Sequence, residues 1–261
     1  MDWDTNNNFF DTMDANTRKL EQFAKLKSVG VRQKTTQSKV MRIVCLSDMH
    51  GLPYDAVIPE GDVLVVAGDV CLRGHPNELK RFNDFLGELP HPYKLFIAGN
   101  HDWPLYHGTP KQIQTVVSNA IYLQDSGVDI DGVRFWGSPW QPEFMGWAFN
   151  LPRGQALAAK WALIPDDTDV LVTHGPPFGI LDQVIKGEHV GCGDLLAAVQ
   201  RIKPKVHVFG HIHEAYGMLE QNGTAFVNAS VCTVRYRPTN PPIVVELKMP
   251  KNSNFLQKTT P

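Results

Sequence analysis

Acidic, amide and imidazole side chains follow five short apolar runs of this chain, and these residue types bind transition metals. Asp48 and His50 stand two positions apart, so in an extended segment their side chains point to the same side. His211 and His213 repeat that spacing. The other three runs are followed by Asp69, by Asn100 and His101, and by His174. Because such residues follow all five apolar runs, the pattern predicts a metal site.

Each of these residues has an ordinary structural explanation when it is taken alone. An Asp after a Gly is commonly a turn residue, and a single His in a loop is commonly solvated. We assign ordinary roles of this kind, in loops or in the core, to His75, His91, His107, His189 and His207. The glycines before Asp69 and Asn100 predict sharp turns that set the following side chains over the strand ends.

The elements that must position these residues are short strands. Continuous apolar runs of this length are typical of strands that are buried on both faces. We predict such strands over 40–46, 63–67, 94–98, 170–173 and 206–209, with further strands over 133–137, 225–228 and 243–246. Helices are predicted between them, over 77–89, 110–118, 154–163 and 192–202. This alternation predicts a layered α/β fold with its site at the carboxyl ends of the strands.

Length, composition and charge are those of an ordinary globular domain. The chain has 261 residues, of which 43% are hydrophobic and 20% charged, and its formal net charge is -2. This charge balance argues against long nucleic acid or a membrane surface as the main partner. Four scattered cysteines, no signal-peptide pattern and no long apolar run predict a reduced, cytoplasmic protein.

The first 39 residues differ in composition from the rest of the chain. We predict that residues 1–39 form a polar appendage, partly disordered or docked on the surface, with one helix over 15–27. Leu20 and Phe23 lie on an apolar stripe of that helix. Residues 40–261 are predicted to form the catalytic domain. A monomer and a homodimer are both compatible with this organisation.

Together the motifs resemble the signature of the calcineurin-like metallophosphoesterases. The signature comprises Asp48-x-His50, Gly68-Asp69, Gly99-Asn100-His101-Asp102, His174 and Gly210-His211-x-His213. Other segments, such as Gly137-Ser138-Pro139-Trp140 and Thr173-His174-Gly175-Pro176-Pro177, resemble the metallophosphoesterase-domain-containing proteins of animals. Those proteins are similar to bacterial class III cyclic nucleotide phosphodiesterases. The resemblance implies an α/β fold of the αββα type, in which two sheets pack face to face between helices.

The resemblance also implies a role for each residue. The first metal would be held by Asp48, His50, Asp69 and His213, and the second by Asp69, Asn100, His174 and His211. Mixed imidazole and oxygen ligands suit Mn, Fe or Zn. A water shared by both ions would attack phosphorus in line, and His101 would act as the catalytic acid for the leaving oxygen. Asp102 either orients that imidazole or caps a turn.

The resulting hypothesis is a metal-dependent hydrolase of small phosphodiesters, with 2′,3′- or 3′,5′-cyclic AMP or GMP as expected substrates. A Ser/Thr protein phosphatase would carry Asp-Arg-Gly after its Gly-Asp motif, whereas here Gly68-Asp69 is followed by Val70-Cys71-Leu72-Arg73-Gly74. A non-catalytic scaffold commonly loses ligands or the acid, and this chain keeps all of them. The expected ligand is therefore a small phosphodiester or nucleotide.

A nuclease of the same fold is the remaining alternative. The near-neutral charge and the lack of a long basic insertion argue against it. Arg134, Arg153 and the Arg235-Tyr236-Arg237 run are interpreted as surface positions. Trp103 directly follows the Gly-Asn-His-Asp motif, where it either stacks on a nucleobase or fills core space.

Overall fold

The structure is a computed structural model, and it describes residues 40–249. The predicted appendage over 1–39, with its helix over 15–27, lies outside the described residues, as does the segment 250–261. None of the helices within 40–249 combines the length and the apolar character that crossing a bilayer requires.

Two large sheets organise the described part of the chain. The first contains β1 (Val40–Leu46), β2 (Val63–Ala67), β3 (Tyr93–Ile97), β4 (Ile121–Tyr122) and β13 (Ile243–Lys248), in the order β13-β1-β2-β3-β4. The second contains β5 (Ser126–Ile130), β6 (Val133–Ser138), β9 (Val170–Thr173), β10 (Val206–Phe209), β11 (Gly217–Gln221) and β12 (Thr224–Asn228), in the order β11-β12-β10-β9-β6-β5. A small separate pair is formed by β7 (Gln141–Pro142) and β8 (Asn150–Leu151).

The strands that precede the site residues are parallel within each sheet. In the first sheet β1, β2 and β3 run in the same direction, and in the second sheet β9 and β10 do. Parallel strands have their carboxyl ends at one edge of the sheet, so the segments that follow them meet there. An isolated bridge between Ser47 and Ser230 joins the first sheet to the segment after β12.

Side chains that alternate between the two faces of each strand explain why the sheets pack face to face. All five residues of β2 are buried. Val65 faces the core between the two sheets, where it shares a cluster with Phe135. Its neighbour Leu64 faces outward and packs in a cluster with Phe82. Both faces of the strand are therefore covered, which is the environment that its uninterrupted apolar sequence predicts.

Helices cover the two outer faces. The first sheet is covered by α1 (Pro76–Glu88), α2 (Trp103–His107) and α3 (Pro110–Val116), and the second by α4 (Gln155–Trp161) and α5 (Gly193–Ile202). Thr109 begins α3 with a capping box, since its hydroxyl accepts the Gln112 N–H while the Gln112 side chain accepts the Thr109 N–H. The four layers confirm the predicted αββα sandwich.

Several short elements were absent from the prediction, and each has a weak local signal. The β5 and β11 strands lie at sheet edges and carry few buried residues, so they lack a continuous apolar run. The β4 strand has two residues and α2 has five, and both fall below the length at which periodicity is readable. The predicted strand over 94–98 begins and ends one residue earlier.

Candidate metal centre

Left-handed turns carry the side chains from the strand ends into a common space. Asp48, His50, Asp69 and His211 have φ angles of 57°, 51°, 52° and 69°. Residues other than glycine adopt this region at a cost of about 1 kcal/mol or more each, and such residues concentrate at functional sites. The surrounding structure holds four of them together at one edge, where both sheets end.

Two glycines allow the turns to approach one another closely. Gly68 has a φ of 98°, and a Cβ at this position would lie 2.6 Å from Nδ1 of His174. Gly99 is not left-handed, but a Cβ there would lie 2.6 Å from the Asp69 nitrogen and from Cε1 of His174. The prediction of a sharp glycine turn thus holds before Asp69. Before Asn100, by contrast, a glycine is required because the neighbouring turn packs too closely for a side chain.

The side chains assemble into two adjacent groups of ligand atoms. In the first group, one ligand atom from each of Asp48, His50 and His213 lies within 4.8 Å of the others. In the second group the same holds for Asp69, His174 and His211. The structure therefore brings together the carboxylates and imidazoles that the sequence assigned to two ions. Their individual roles as ligands stay predictions.

Asp69 stands between the two groups. Its Oδ1 accepts the backbone N–H of His101 at 2.8 Å. Its Oδ2 lies 3.9 Å from Nε2 of His50, which belongs to the first group, and 3.3 Å from Nε2 of His174, which belongs to the second. One carboxylate oxygen thus faces both groups, which is the position that a ligand shared by two ions requires.

Asn100 adjoins the second group, and His211 connects this group to the first. The amide oxygen of Asn100 lies 2.9 Å from Nε2 of His174, and the rings of His174 and His211 meet edge to face with centroids 5.0 Å apart. The backbone N–H of His211 donates to both carboxylate oxygens of Asp48, at 3.1 and 3.0 Å. The second group is therefore tied to the first through the backbone.

Backbone carbonyls set the tautomers of two histidines. Nδ1 of His174 lies 2.9 Å from the carbonyl oxygen of Ala67, and Nδ1 of His213 lies 3.1 Å from that of Thr233. Because a carbonyl oxygen only accepts, Nδ1 carries a proton, and Nε2 is the ring nitrogen that faces the centre.

The electrostatics of the cluster suit cations. Burial works to raise the pKa of Asp48, but its hydrogen bond with His213 and the nearby histidines outweigh this and hold that pKa well below its usual range. Burial also works to raise the pKa of Asp69, but His174 and two further histidines outweigh it and keep that pKa low. Burial lowers the pKa of His50 and of His211 to about 4. Burial works to lower the pKa of His174, but the Asp69 carboxylate outweighs it and raises that pKa to about 9, and Asp48 likewise raises the pKa of His213. Charged carboxylates beside imidazoles form a donor set that fits two divalent transition-metal ions, which bind in place of the imidazole protons.

His101 lies at the rim of this centre. Its Nδ1 is 2.8 Å from the carbonyl oxygen of Leu72, so Nδ1 carries the proton and Nε2 is left free. The Trp147 ring packs against the imidazole, with centroids 4.4 Å apart and planes inclined by 31°. A ring nitrogen of His101 also forms a third group of potential ligands with His50 and Asp69. The imidazole is therefore adjacent to both predicted metal positions.

Asp102 caps turns and does not orient the imidazole of His101. Its fully buried carboxylate accepts backbone N–H groups from Cys71 at 2.8 Å, Gly99 at 2.8 Å and Val70 at 3.3 Å. Burial and the Asp69 carboxylate raise the pKa of Asp102 to about 7. Of the two roles considered for Asp102, the structure shows the turn cap, and Leu72 holds His101 instead.

Two contributors were not identified from the sequence. Tyr236 has a φ of 53°, and its ring lies 4.7 Å from that of His50 and 5.3 Å from that of His213. The hydroxyl of Ser230 donates to Oδ2 of Asp48 at 2.8 Å. Both follow strands late in the chain without a recognisable motif, so local sequence carries no signal of their position.

The remaining histidines lie outside the ligand groups found in 40–249. His75 and His107 are exposed, Nε2 of His91 lies 3.0 Å from the carbonyl oxygen of Pro59, and Nδ1 of His189 lies 2.6 Å from Asp182. His207 is fully buried, with Nε2 2.8 Å from the Thr173 hydroxyl, but its Nδ1 has no hydrogen-bond partner. Burial lowers the pKa of His207 to about 3, so this core residue is neutral.

Comparisons with known proteins agree with this geometry. The sequence model of the calcineurin-like phosphoesterase family matches residues 41–215. Metallophosphoesterase domain-containing protein 1 of Homo sapiens is 50% identical over 236 residues, which cover 81% of this chain and 72% of that protein. A UPF0046 protein of Caenorhabditis elegans is 41% identical over 223 residues, covering 80% of this chain and 76% of its own length.

A solved structure shares the fold at low sequence identity. The phosphopantetheinyl hydrolase of Mycobacterium tuberculosis superposes with a TM-score of 0.51 at 16% identity, covering 82% of this chain and 97% of that one. At this identity the similarity concerns the fold alone.

Proposed function

The chain belongs to the calcineurin-like phosphoesterase family, and from this premise we propose that it hydrolyses small phosphodiesters, cyclic nucleotides among them. Two ions of manganese, iron or zinc would be held by the predicted ligands: Asp48, His50, Asp69, Asn100, His174, His211 and His213. His101 would be the catalytic acid.

The wall of the cavity over the two ligand groups supports a diester as substrate. This metal cavity has a volume of about 250 Å³, and besides the ligands it is lined by side chains such as Phe144, Met145, Trp147 and Tyr236. Glu214 is also on its wall. Of the described residues that line it, none is a lysine or an arginine.

The charges on the cavity wall favour diesters over monoesters. A phosphomonoester carries a charge of about −1.5 to −2 at neutral pH, whereas a diester carries about −1. Sites that bind dianionic phosphate commonly use arginine or lysine side chains. A cavity with Glu214 on its wall and no such side chain is better matched to the monoanionic diester. This is the observation on which the proposal depends.

The residues of the centre have complementary tasks in the reaction. When bound, the two ions would supply an activated water and neutralise the phosphate oxygens. His101, with Nδ1 held by Leu72, presents Nε2 to the substrate. The acid is the imidazolium form of His101, which carries a proton on both ring nitrogens. As the P–O bond to the leaving group breaks and the new P–O bond to the water oxygen forms, the proton on Nε2 transfers to the leaving oxygen and the neutral imidazole with Nδ1–H remains. Trp147 keeps the imidazole in place by packing along its face.

Small substrates are part of the proposal. Arg134 pairs with Asp129 and Asp167, and Arg153 donates to the carbonyl oxygens of Val190 and Gly191 at 2.7 Å. These two arginines thus have partners within the protein. They are poorly placed to bind phosphates of a long nucleic acid, which argues against a nuclease.

The test compares substrates of different charge on the manganese-loaded protein. We expect turnover of bis-p-nitrophenyl phosphate and of at least one 2′,3′- or 3′,5′-cyclic nucleotide, with kcat/KM well above that for p-nitrophenyl phosphate. The aryl leaving group is the same in both p-nitrophenyl substrates, so their comparison isolates the phosphate charge. A preference for the monoester would overturn the diester assignment. Absence of turnover with every substrate would favour the non-catalytic scaffold.

A further inference from the structure

A second cavity adjoins the metal cavity at the catalytic acid. It has a volume of about 730 Å³, which lies in the range of small-molecule binding sites. His101, Met145, Trp147 and Tyr236 line both cavities, so the two meet at these side chains. We call this second cavity the leaving-group chamber, because it begins where a leaving oxygen would receive its proton.

The position of His101 decides which part of a substrate could enter the chamber. The acid must lie next to the oxygen that departs from phosphorus, so the group attached to that oxygen extends past His101. In a cyclic nucleotide the leaving oxygen belongs to the nucleoside itself. With phosphorus in the metal cavity, the nucleoside would therefore extend into the leaving-group chamber.

The walls of the chamber suit a planar aromatic group. The indole rings of Trp103 and Trp147 line it, together with the side chains of Leu52, Leu72, Arg73 and His75. Trp147 and Trp103 are partly buried, which holds their rings in place while part of their surface stays accessible. Aromatic side chains stack on nucleobases without sequence preference, since every base has a π-face. The two roles considered for Trp103, stacking on a nucleobase and filling core space, are compatible, because its ring lines the chamber and also packs against the core cluster under α1.

We propose that the leaving-group chamber binds the base of a nucleotide, with Trp147 as the residue that determines this preference. The inference rests on the proposed function, because it locates the nucleoside from the position of the catalytic acid. It predicts that affinity depends on the base as well as on the phosphate.

The experiment uses two ligands that differ only in the base. Calorimetric titration of the manganese-loaded full chain with AMP and with ribose 5-phosphate measures the contribution of the adenine. Both ligands present the same phosphomonoester to the metals. We expect AMP to bind about 10- to 100-fold more tightly, the ratio that stacking of one base supplies.

Variants then assign the contribution to the chamber. Trp147→Ala should bring the dissociation constant of AMP to within a few-fold of that of ribose 5-phosphate, because it weakens the binding of AMP much more than that of ribose 5-phosphate. Trp147→Phe should keep most of the preference for AMP, since a smaller aromatic ring still stacks. Phe178→Ala is the matched control, because Phe178 is an exposed aromatic residue that does not line the chamber, and its AMP preference should equal that of the wild type.

The outcomes separate this inference from the proposed function. Equal affinities of the wild-type protein for AMP and ribose 5-phosphate would overturn the inference, even where diesters are hydrolysed, and this comparison requires no variant to fold. A preference for AMP that survives in Trp147→Ala would also overturn it. A preference lost in Trp147→Ala, in a protein that hydrolyses no diester, would support the chamber and contradict the proposed function.

Discussion

Three histidines of the centre are oriented by the same kind of contact. His101, His174 and His213 each have Nδ1 within 3.1 Å of a backbone carbonyl oxygen, so each presents Nε2 to the centre. A backbone partner cannot titrate, and no single side-chain substitution removes it. The arrangement therefore keeps the imidazoles aligned irrespective of the nearby carboxylates.

At the residue scale, we predict that Asp69 controls the metal content. Because Oδ2 of Asp69 faces both ligand groups, Asp69→Ala should reduce the bound metal from about two ions per chain to near zero and abolish turnover. Elemental analysis of the purified protein measures this directly. Asp84→Ala, which removes an exposed carboxylate paired with Lys80, should keep both ions. An Asp69 variant that retains both ions would refute the shared-ligand assignment.

His101 tests acid catalysis separately from metal binding. His101→Ala should keep both ions, because His101 is not one of the predicted ligands. General-acid catalysis supplies about 100- to 10,000-fold, and less for a leaving group that departs without a proton. The loss of kcat should thus be large for a cyclic nucleotide and smaller for a p-nitrophenyl diester.

Two observations check this prediction. His107→Asn changes an exposed histidine outside the centre and should leave both rates unchanged. Equal losses on the two substrates in His101→Ala, or loss of a metal ion, would show that His101 does not act as the acid.

At the scale of the elements, the segments after β2 and β3 are held together by one carboxylate. Asp102 accepts N–H groups from Cys71 and Gly99, so the two turns that carry Asp69 and Asn100 are tied to each other. The close approach at Gly99 strengthens this connection, because no side chain separates the turns. The spacing of the second ligand group therefore depends on contacts between elements.

Asp102→Ala should destabilise the fold and loosen the second ligand group. It leaves buried N–H groups unpaired, which costs about 1–3 kcal/mol for each group that stays unsatisfied. We expect urea unfolding to show a loss of about 2–4 kcal/mol, together with a higher manganese concentration for half-maximal activity. Unchanged stability would mean that water replaces the carboxylate without cost.

At the scale of the whole molecule, the buried His207 makes stability depend on pH. Its pKa of about 3 in the fold lies below the ordinary value near 6.5 that an exposed histidine has in the unfolded chain. Between these values the unfolded chain binds a proton that the folded protein does not, so stability falls as the pH decreases from 6.5 towards 3. Above pH 6.5 this contribution is constant.

The measurement is the free energy of unfolding at two pH values. From pH 7.5 to 5.5, His207 should account for a loss of about 1.4 kcal/mol. His207→Gln should therefore lose about that much less than the wild type over the same interval. Other titrating groups contribute equally to both proteins and cancel in the difference. Identical pH dependences would contradict a neutral His207 in the fold.

The catalytic sandwich should also fold without the predicted appendage. Within the described residues, β1 begins at Val40 and is paired on both sides, by β2 and by β13, so the first sheet is complete from that residue onward. A chain that starts near Lys39 should be soluble and keep most of its activity. A chain that starts at Asp62 lacks β1 and Asp48, and should not fold. Insoluble or inactive protein from the first truncation, alongside an active full chain, would place the boundary elsewhere.

Local sequence determined the central strands and the residues that follow them. In runs such as Val63–Ala67 the side chains alternate between two buried faces, so consecutive residues are all apolar. This pattern predicts the strand without knowledge of its partners. The ends of these strands carry Asp48, Asp69 and His174, which is why seven predicted ligands could be named before their geometry was known. Edge strands such as β11 escaped prediction because one side of them meets solvent.

Only the tertiary structure decided how these residues are oriented and what surrounds them. The carbonyl oxygen that orients His174 belongs to Ala67, which is 107 positions away, and Tyr236 reaches His50 from the far end of the chain. The wall of the leaving-group chamber likewise joins Leu52, Trp103 and Trp147. Periodicity records whether a residue is buried within its own element, but not which distant element lies opposite. That choice results from packing two sheets face to face, so it becomes visible only in the assembled fold.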